Sequence, residues 1–184
     1  MKKLFLVFSV AFSSFAFGQT TSDVHVTTKE EFAAAKLKAT SPYDIKVYEI
    51  QVIKLVNEYR ISKGLNALEY DTSLYKAAIM QSDYMAVNSK VTHYNSTDGM
   101  YSHVSRIQHF LGRSTKAAAE CCTNSSLFIN FIRNYNHAQF IFDAWKNSKP
   151  HNSILLDPAE TKIAVSISRN GNAEYIYACL VVCD

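Results

Sequence analysis

The sequence predicts an α+β domain, and three observations carry the prediction. Residues 43–63 and 73–87 repeat apolar side chains at helical spacing. Residues 161–182 instead alternate apolar and polar side chains on either side of Asn170-Gly171, a tight-turn signal. The helical segments come first and the strands last, which is not the alternation of a βαβ fold.

The N-terminus reads as a leader. Lys2 and Lys3 precede the apolar run LFLVFSVAFSSFAF, and Ala16-Phe17-Gly18 offers the small residues of a cleavage site. Residues 1–18 are therefore expected to be a signal peptide and residues 19–41 a polar linker. His25 in the linker is a solvated tail residue. The domain is expected over residues 42–184. No later segment reaches the ~18 consecutive apolar residues of a transmembrane helix. A secreted protein, extracellular or periplasmic, is the expectation. Losing Lys2 and Lys3 takes the formal charge from +3 to +1, which leaves nothing to bind nucleic acid by charge alone.

Within the domain, Ser41-Pro42 opens a first helix from Tyr43 to Lys63. Ile45, Tyr48, Val52, Leu55, Val56 and Tyr59 form its inner stripe, and Gly64 supplies the stop. Asp71-Thr72 caps a second helix from Ser73 to Val87. Leu74, Ala77, Ala78 and Met85 face inward there. The polar loop NSKVTHYNSTDG leads into MYSHVSRIQHFLG, a short third helix closed by Gly112. Residues 125–148 read as one long or broken helix through Phe128, Phe131, Ile132, Phe140, Ile141 and Trp145. After Asp157-Pro158, TKIAVSISR and AEYIYACLVV form a terminal hairpin.

The four cysteines are Cys121, Cys122, Cys179 and Cys183. Export permits disulfides. A Cys179–Cys183 bond inside an extended strand exceeds the ~7 Å limit on Cα separation, and a vicinal Cys121–Cys122 bond is strained. The expectation is a cross-link from Cys121 or Cys122 to Cys179 or Cys183. Four small buried thiols are the alternative. The spacing does not match a zinc knuckle.

Several segments together resemble the CAP superfamily (cysteine-rich secretory proteins, antigen 5 and pathogenesis-related proteins) in its short bacterial, SCP-like form. They are VNEYRISKGLNALEYDTSLYKAA, VTHYNSTDGMYSHVSRI, AWKNSKPHNSILLDP and KIAVSIS. AAECC stands where that family has Gly-Glu-Asn, so Ala119 and Cys121 replace the residues flanking Glu120. The resemblance implies a three-layer α-β-α sandwich with a small antiparallel sheet. It also implies a surface cleft in which His93, Glu120 and His151 meet. Many eukaryotic members carry a second glutamate where this chain has Ser148. Ser148, Trp145 and Tyr94 are expected to line the cleft.

Two imidazoles and a carboxylate suit Zn²⁺ or another divalent transition metal with one position open to water. The carboxylate can instead fix an imidazole tautomer by hydrogen bonding. His103 is expected on the outer face of the third helix, and His109 and His137 as structural or solvated groups. The leading functional expectation is a secreted binding or interaction module for a lipid, glycan or protein ligand. Tyr94, Tyr101, Tyr175 and Tyr177 are candidate contact aromatics. The alternative is a metal-dependent hydrolase in which a metal-bound water attacks and Glu120 is ligand or base. A thiol nucleophile, Cys121 or Cys122 with His151 as base, ranks last.

Overall fold

A computed structural model describes residues 45–127 and 136–184. The expected signal peptide and linker lie outside the described residues, as do Phe128, Phe131 and Ile132. The elements run α1 (Ile45–Ser62), β1 (Glu69–Tyr70), α2 (Thr72–Asn88), α3 (His103–Leu111), β2 (Ala118–Ser126), α4 (His137–Lys146), α5 (Lys149–Leu155), β3 (Lys162–Arg169) and β4 (Tyr175–Cys183). The strand order is β1-β3-β4-β2. β4 lies antiparallel to both β2 and β3, whereas β1 runs parallel to β3. The sheet is therefore mixed rather than wholly antiparallel. The departure is confined to the two-residue β1.

The sheet separates two apolar layers. Ile163, Val165 and Ile167 of β3 and Ile176, Ala178, Leu180 and Val182 of β4 face α1, α4 and α5, around the fully buried Trp145. Ala164 of β3 and Tyr177, Cys179, Val181 and Cys183 of β4 face α2 and α3. This is the expected three-layer α-β-α sandwich. A strand covered on both faces has no polar side to show, so β4 is buried from Ile176 to Cys183.

Local signals account for the helix ends. The Asp71 carboxylate accepts from Ser73 N at 2.8 Å and Leu74 N at 3.1 Å and caps α2. Ser102 and Ser105 form a reciprocal capping box at the start of α3, and Gly112 ends that helix at φ 65°. Arg60, buried near the end of α1, donates to the carbonyls of Asn66, Leu155, Asp157 and Glu160 at 2.9–3.4 Å. It ties α1 to the connection between α5 and β3. Glu49 of α1 accepts from Ile167 N at 2.9 Å, where β3 has already run past the end of β1. A side chain thus satisfies a backbone donor that a longer β1 would have met.

Two expectations need correction. The segment read as helix over residues 125–148 begins as strand, since β2 runs through Ser126, and among the described residues its helical part is α4 followed by α5. Asn136 caps α4 through Gln139 N at 3.1 Å. The hairpin turn is also longer than Asn170-Gly171 suggests. Asn170 and Tyr175 close the loop through both backbone and side chain, and Ala173 takes the left-handed position at φ 55°. No helix among the described residues is long and apolar enough to cross a membrane.

Candidate functional site

The site forms where the α2–α3 loop meets the α2/α3 face of the sheet. Pleating decides which residues of β2 reach it. Glu120 and Cys122 stand two residues apart and share a face, while Cys121 joins the opposite core. The loop carrying His93 is held from α2. Gln81, fully buried, donates to Thr92 O at 2.5 Å and accepts from Asn95 Nδ2 at 3.3 Å. Those two anchors flank His93.

Arg106 is the hub. Its side chain and that of Glu120 are both 0% exposed, with Nη2 donating to Glu120 Oε2 at 2.7 Å. The same guanidinium donates to His93 O at 3.2 Å, Met100 O at 2.9 Å and Tyr101 O at 3.4 Å. One planar fork therefore fixes both the carboxylate and the loop that presents His93. The other carboxylate oxygen, Oε1, accepts from His93 Nδ1 at 3.0 Å and from the Cys122 thiol at 3.4 Å. The Cys179 thiol reaches Oε2 at 3.5 Å. His93 Nδ1 is thus turned inward.

The protonation states follow from these contacts. Burial alone would raise Glu120, but the His93 hydrogen bond and the charge of Arg106 hold it below its ordinary value. The Cys122 sulfur and the Glu120 carboxylate push His93 up to about 10. His151 goes the other way, lowered by partial burial and by the charge of His93. Its ring centroid lies 6.2 Å from that of His93. Two histidines of opposite tendency thus face one another, one carried by a loop and the other by α5.

His103 does not sit on an outer face away from the site. It is half-buried and lowered mainly by burial, within electrostatic range of Glu120, Arg106 and His93. Ser148 is the N-cap of α5 and makes no side-chain cap hydrogen bond. Trp145 of α4 is fully buried, a core anchor behind the cleft rather than part of its exposed lining. Tyr94 is 58% exposed and pairs with Tyr101, 46% exposed, at 5.6 Å between ring centroids. Tyr175 is exposed, but Tyr177 is a core residue at 2% exposure. His137 is structural, bonded to Ser125 Oγ at 3.0 Å and edge-on to Tyr48. His109 is exposed.

The expected cross-link is absent: all four cysteines are free and buried. Strand register explains why most pairings fail. Cys121 faces the wrong layer. Cys183 stands opposite Ala118, four positions from Cys122. Only Cys122 and Cys179 are direct partners on one face. The reading of Cys121 or Cys122 with His151 as a nucleophile pair also changes, because the imidazole beside Cys122 is that of His93. Residues that sequence reasoning did not assign to the site are Arg106, Gln81, Asn95 and Cys179. For Gln81 and Arg106 the signal is a polar side chain inside an otherwise apolar helical pattern, clearest for Arg106 beside Ile107; Asn95 in a polar loop and Cys179 in an apolar strand carry no such signal.

Comparison with known proteins agrees with this architecture. The protein YkwD of Bacillus subtilis (strain 168), described as uncharacterized, is 28% identical over 156 residues; the match covers 84% of this chain but only 56% of that protein. An outer surface protein from Borrelia burgdorferi shares the fold with a TM-score of 0.62 at 21% identity, over 76% of this chain and 95% of that one. An extracellular protein containing an SCP domain from Bacillus anthracis gives 0.57 at 18% identity, over 84% and 43%. The family described as "CAP: Cysteine-rich secretory protein family" matches residues 53–184. The chain belongs to the CAP (cysteine-rich secretory protein) family.

Proposed function

We propose that this chain is an exported CAP-domain binding module for a lipid, glycan or protein ligand, with a His/Glu cleft able to hold a divalent transition metal such as Zn²⁺. The observation that carries the reading is the state of Glu120. Its side chain is fully buried and both oxygens are engaged, one by Arg106 and one by His93. A general base has to reach the proton it removes. A carboxylate locked in this way orients an imidazole instead, and a positioned imidazole is what a binding cleft needs. This favours binding over the metal-dependent hydrolase. The exposed Tyr94–Tyr101 pair, of which Tyr94 directly follows His93, offers flat apolar surface with polar rims to a ligand. The related proteins described as extracellular or outer-surface support export.

The donor chemistry fits the metal. His93 and His151 carry nitrogen donors, Glu120 can offer Oε1 in place of its hydrogen bond from His93, and 51% of the His93 side chain is open to solvent. When bound, the ion would supply a positive centre for an anionic or carbonyl group of the ligand. Calorimetric titration of Zn²⁺ into protein purified without a His tag tests this. His151→Ala and His93→Ala should each weaken binding at least tenfold. Equal affinity in wild type and both variants would remove the metal from the proposal and leave the aromatic surface as the binding feature.

A further inference from the structure

We propose that Cys122 is a metal ligand, so that the site is a mixed nitrogen, oxygen and sulfur set selective for thiophilic ions such as Zn²⁺. The inference rests on the reading that this cleft holds a divalent ion, and it names the donor that makes the cleft selective. His93, Glu120 and Cys122 each offer one donor atom, and the three atoms lie within 4.8 Å of one another. Nδ1 to Oε1 is 3.0 Å and Sγ to Oε1 is 3.4 Å. An ion held tetrahedrally at bond lengths of ~2.0 Å to nitrogen and oxygen and ~2.3 Å to sulfur separates its donors by roughly 3.3–3.5 Å. The side chains therefore already stand close to ligand spacing, held together by hydrogens that an ion would displace.

Charge gives the second argument. Arg106 offsets the charge of Glu120 from 2.7 Å away. With neutral imidazoles, the set His93, Glu120 and His151 then offers a cation no net negative charge. A Cys122 thiolate restores one. Balance requires two protons to pass to solvent as the ion enters: the Cys122 S–H proton as the metal–sulfur bond forms, and the Nδ1 proton that His93 donates to Glu120, which frees the Nδ1 lone pair and leaves the remaining imidazole hydrogen on Nε2. Thiolate ligation also sets preference, because soft sulfur favours Zn²⁺ and Co²⁺ over Mg²⁺ and Ca²⁺. Of the three donors His93 is the open one, its side chain 51% exposed, while Cys122 is buried at 4%.

Co²⁺ is the probe. Titrated into reduced, untagged wild-type protein, it should give a near-ultraviolet thiolate-to-cobalt charge-transfer band that Zn²⁺ then abolishes. Cys122→Ser should lose the band and bind Co²⁺ at least tenfold more weakly. Cys121→Ser, on the other face of the sheet, should keep both. A measurement on wild type alone guards against misfolding of the variant: saturating Zn²⁺ should protect Cys122 from maleimide labelling mapped by mass spectrometry. Co²⁺ binding without the band, or unprotected Cys122, overturns sulfur ligation while leaving the His93/His151 cleft standing. Absence of Co²⁺ and Zn²⁺ binding in wild type removes both readings.

Discussion

Replacing Arg106 with methionine should destabilise the domain more than any loss of exposed charge, and the structure sets the size. The substitution keeps an unbranched apolar stem but removes every donor to Glu120 Oε2 other than the weak Cys179 thiol. It also strips a donor from the carbonyls of His93, Met100 and Tyr101. Breaking one partner of a buried ion pair costs about 3–5 kcal/mol, because a charge is left behind without its partner. Against a total of roughly 5–15 kcal/mol that is a large fraction. With a urea slope near 2 kcal/mol/M, the unfolding midpoint should fall by about 2 M. The double variant Arg106→Met/Glu120→Leu should recover part of the loss, since an apolar pair of similar volume carries no stranded charge. A single-variant loss under about 1 kcal/mol, or strictly additive losses in the double, would refute the hub role of Arg106.

Other outcomes are expected. Burial and the charges of Asp157 and Asp184 raise Glu160 to about 7, and its Oε2 has no hydrogen-bond partner among the described residues. The folded state therefore binds the extra proton between pH 4.5 and 7, and stability falls as pH rises through that window. Glu160→Gln should gain up to about 3 kcal/mol above pH 7 and little below pH 4.5, read from urea midpoints at the two ends; a gain independent of pH would contradict this. Burial pushes the Cys121 and Cys179 thiols well above their ordinary value and Cys183 up to about 11. Iodoacetamide near neutral pH should label these three slowly in native protein and fully in urea, and any disulfide recovered from oxidised protein should be Cys122–Cys179. Ser148 stands three residues before His151, so Ser148→Glu places a carboxylate on the same side of α5. Calorimetry should show roughly tenfold tighter Zn²⁺ binding; an unchanged affinity would place residue 148 outside the site.

The helices α1 and α2 were legible because each buries one stripe against the sheet, and that requirement writes a 3.6-residue period into the chain. The strand β2 was not. Ala118–Ser126 contains one β-branched residue and no aromatic, so intrinsic preference says little. Its strand character comes from nine consecutive pairings with β4, which is tertiary information. The same blindness extended the helix of residues 125–148 into the strand. Glu120 was identified through resemblance alone, because nothing in AAECC distinguishes it. Whether Cys121 or Cys122 stands beside it depends on pleat register, which a one-residue shift would invert. Arg106 was quoted within the matching segment yet given no role. Its partners come from β2 and from the loop before its own helix, and only the folded chain brings them together.

The placement of β4 has a kinetic consequence. It joins β3 on one side and β2 on the other, yet it follows both in the chain, and Glu120 and Cys179 are 59 residues apart. Helical stretches can form locally in under a microsecond, whereas a contact across such a span must first close a long loop. Until β4 arrives, β2 has no ladder, and Glu120 has no low-dielectric surroundings in which to hold Arg106 and His93. Acquisition of ligand-binding competence should therefore coincide with the slowest step of folding rather than precede it. In a refolding experiment, recovery of metal binding should track the final phase of tertiary structure with a single rate constant.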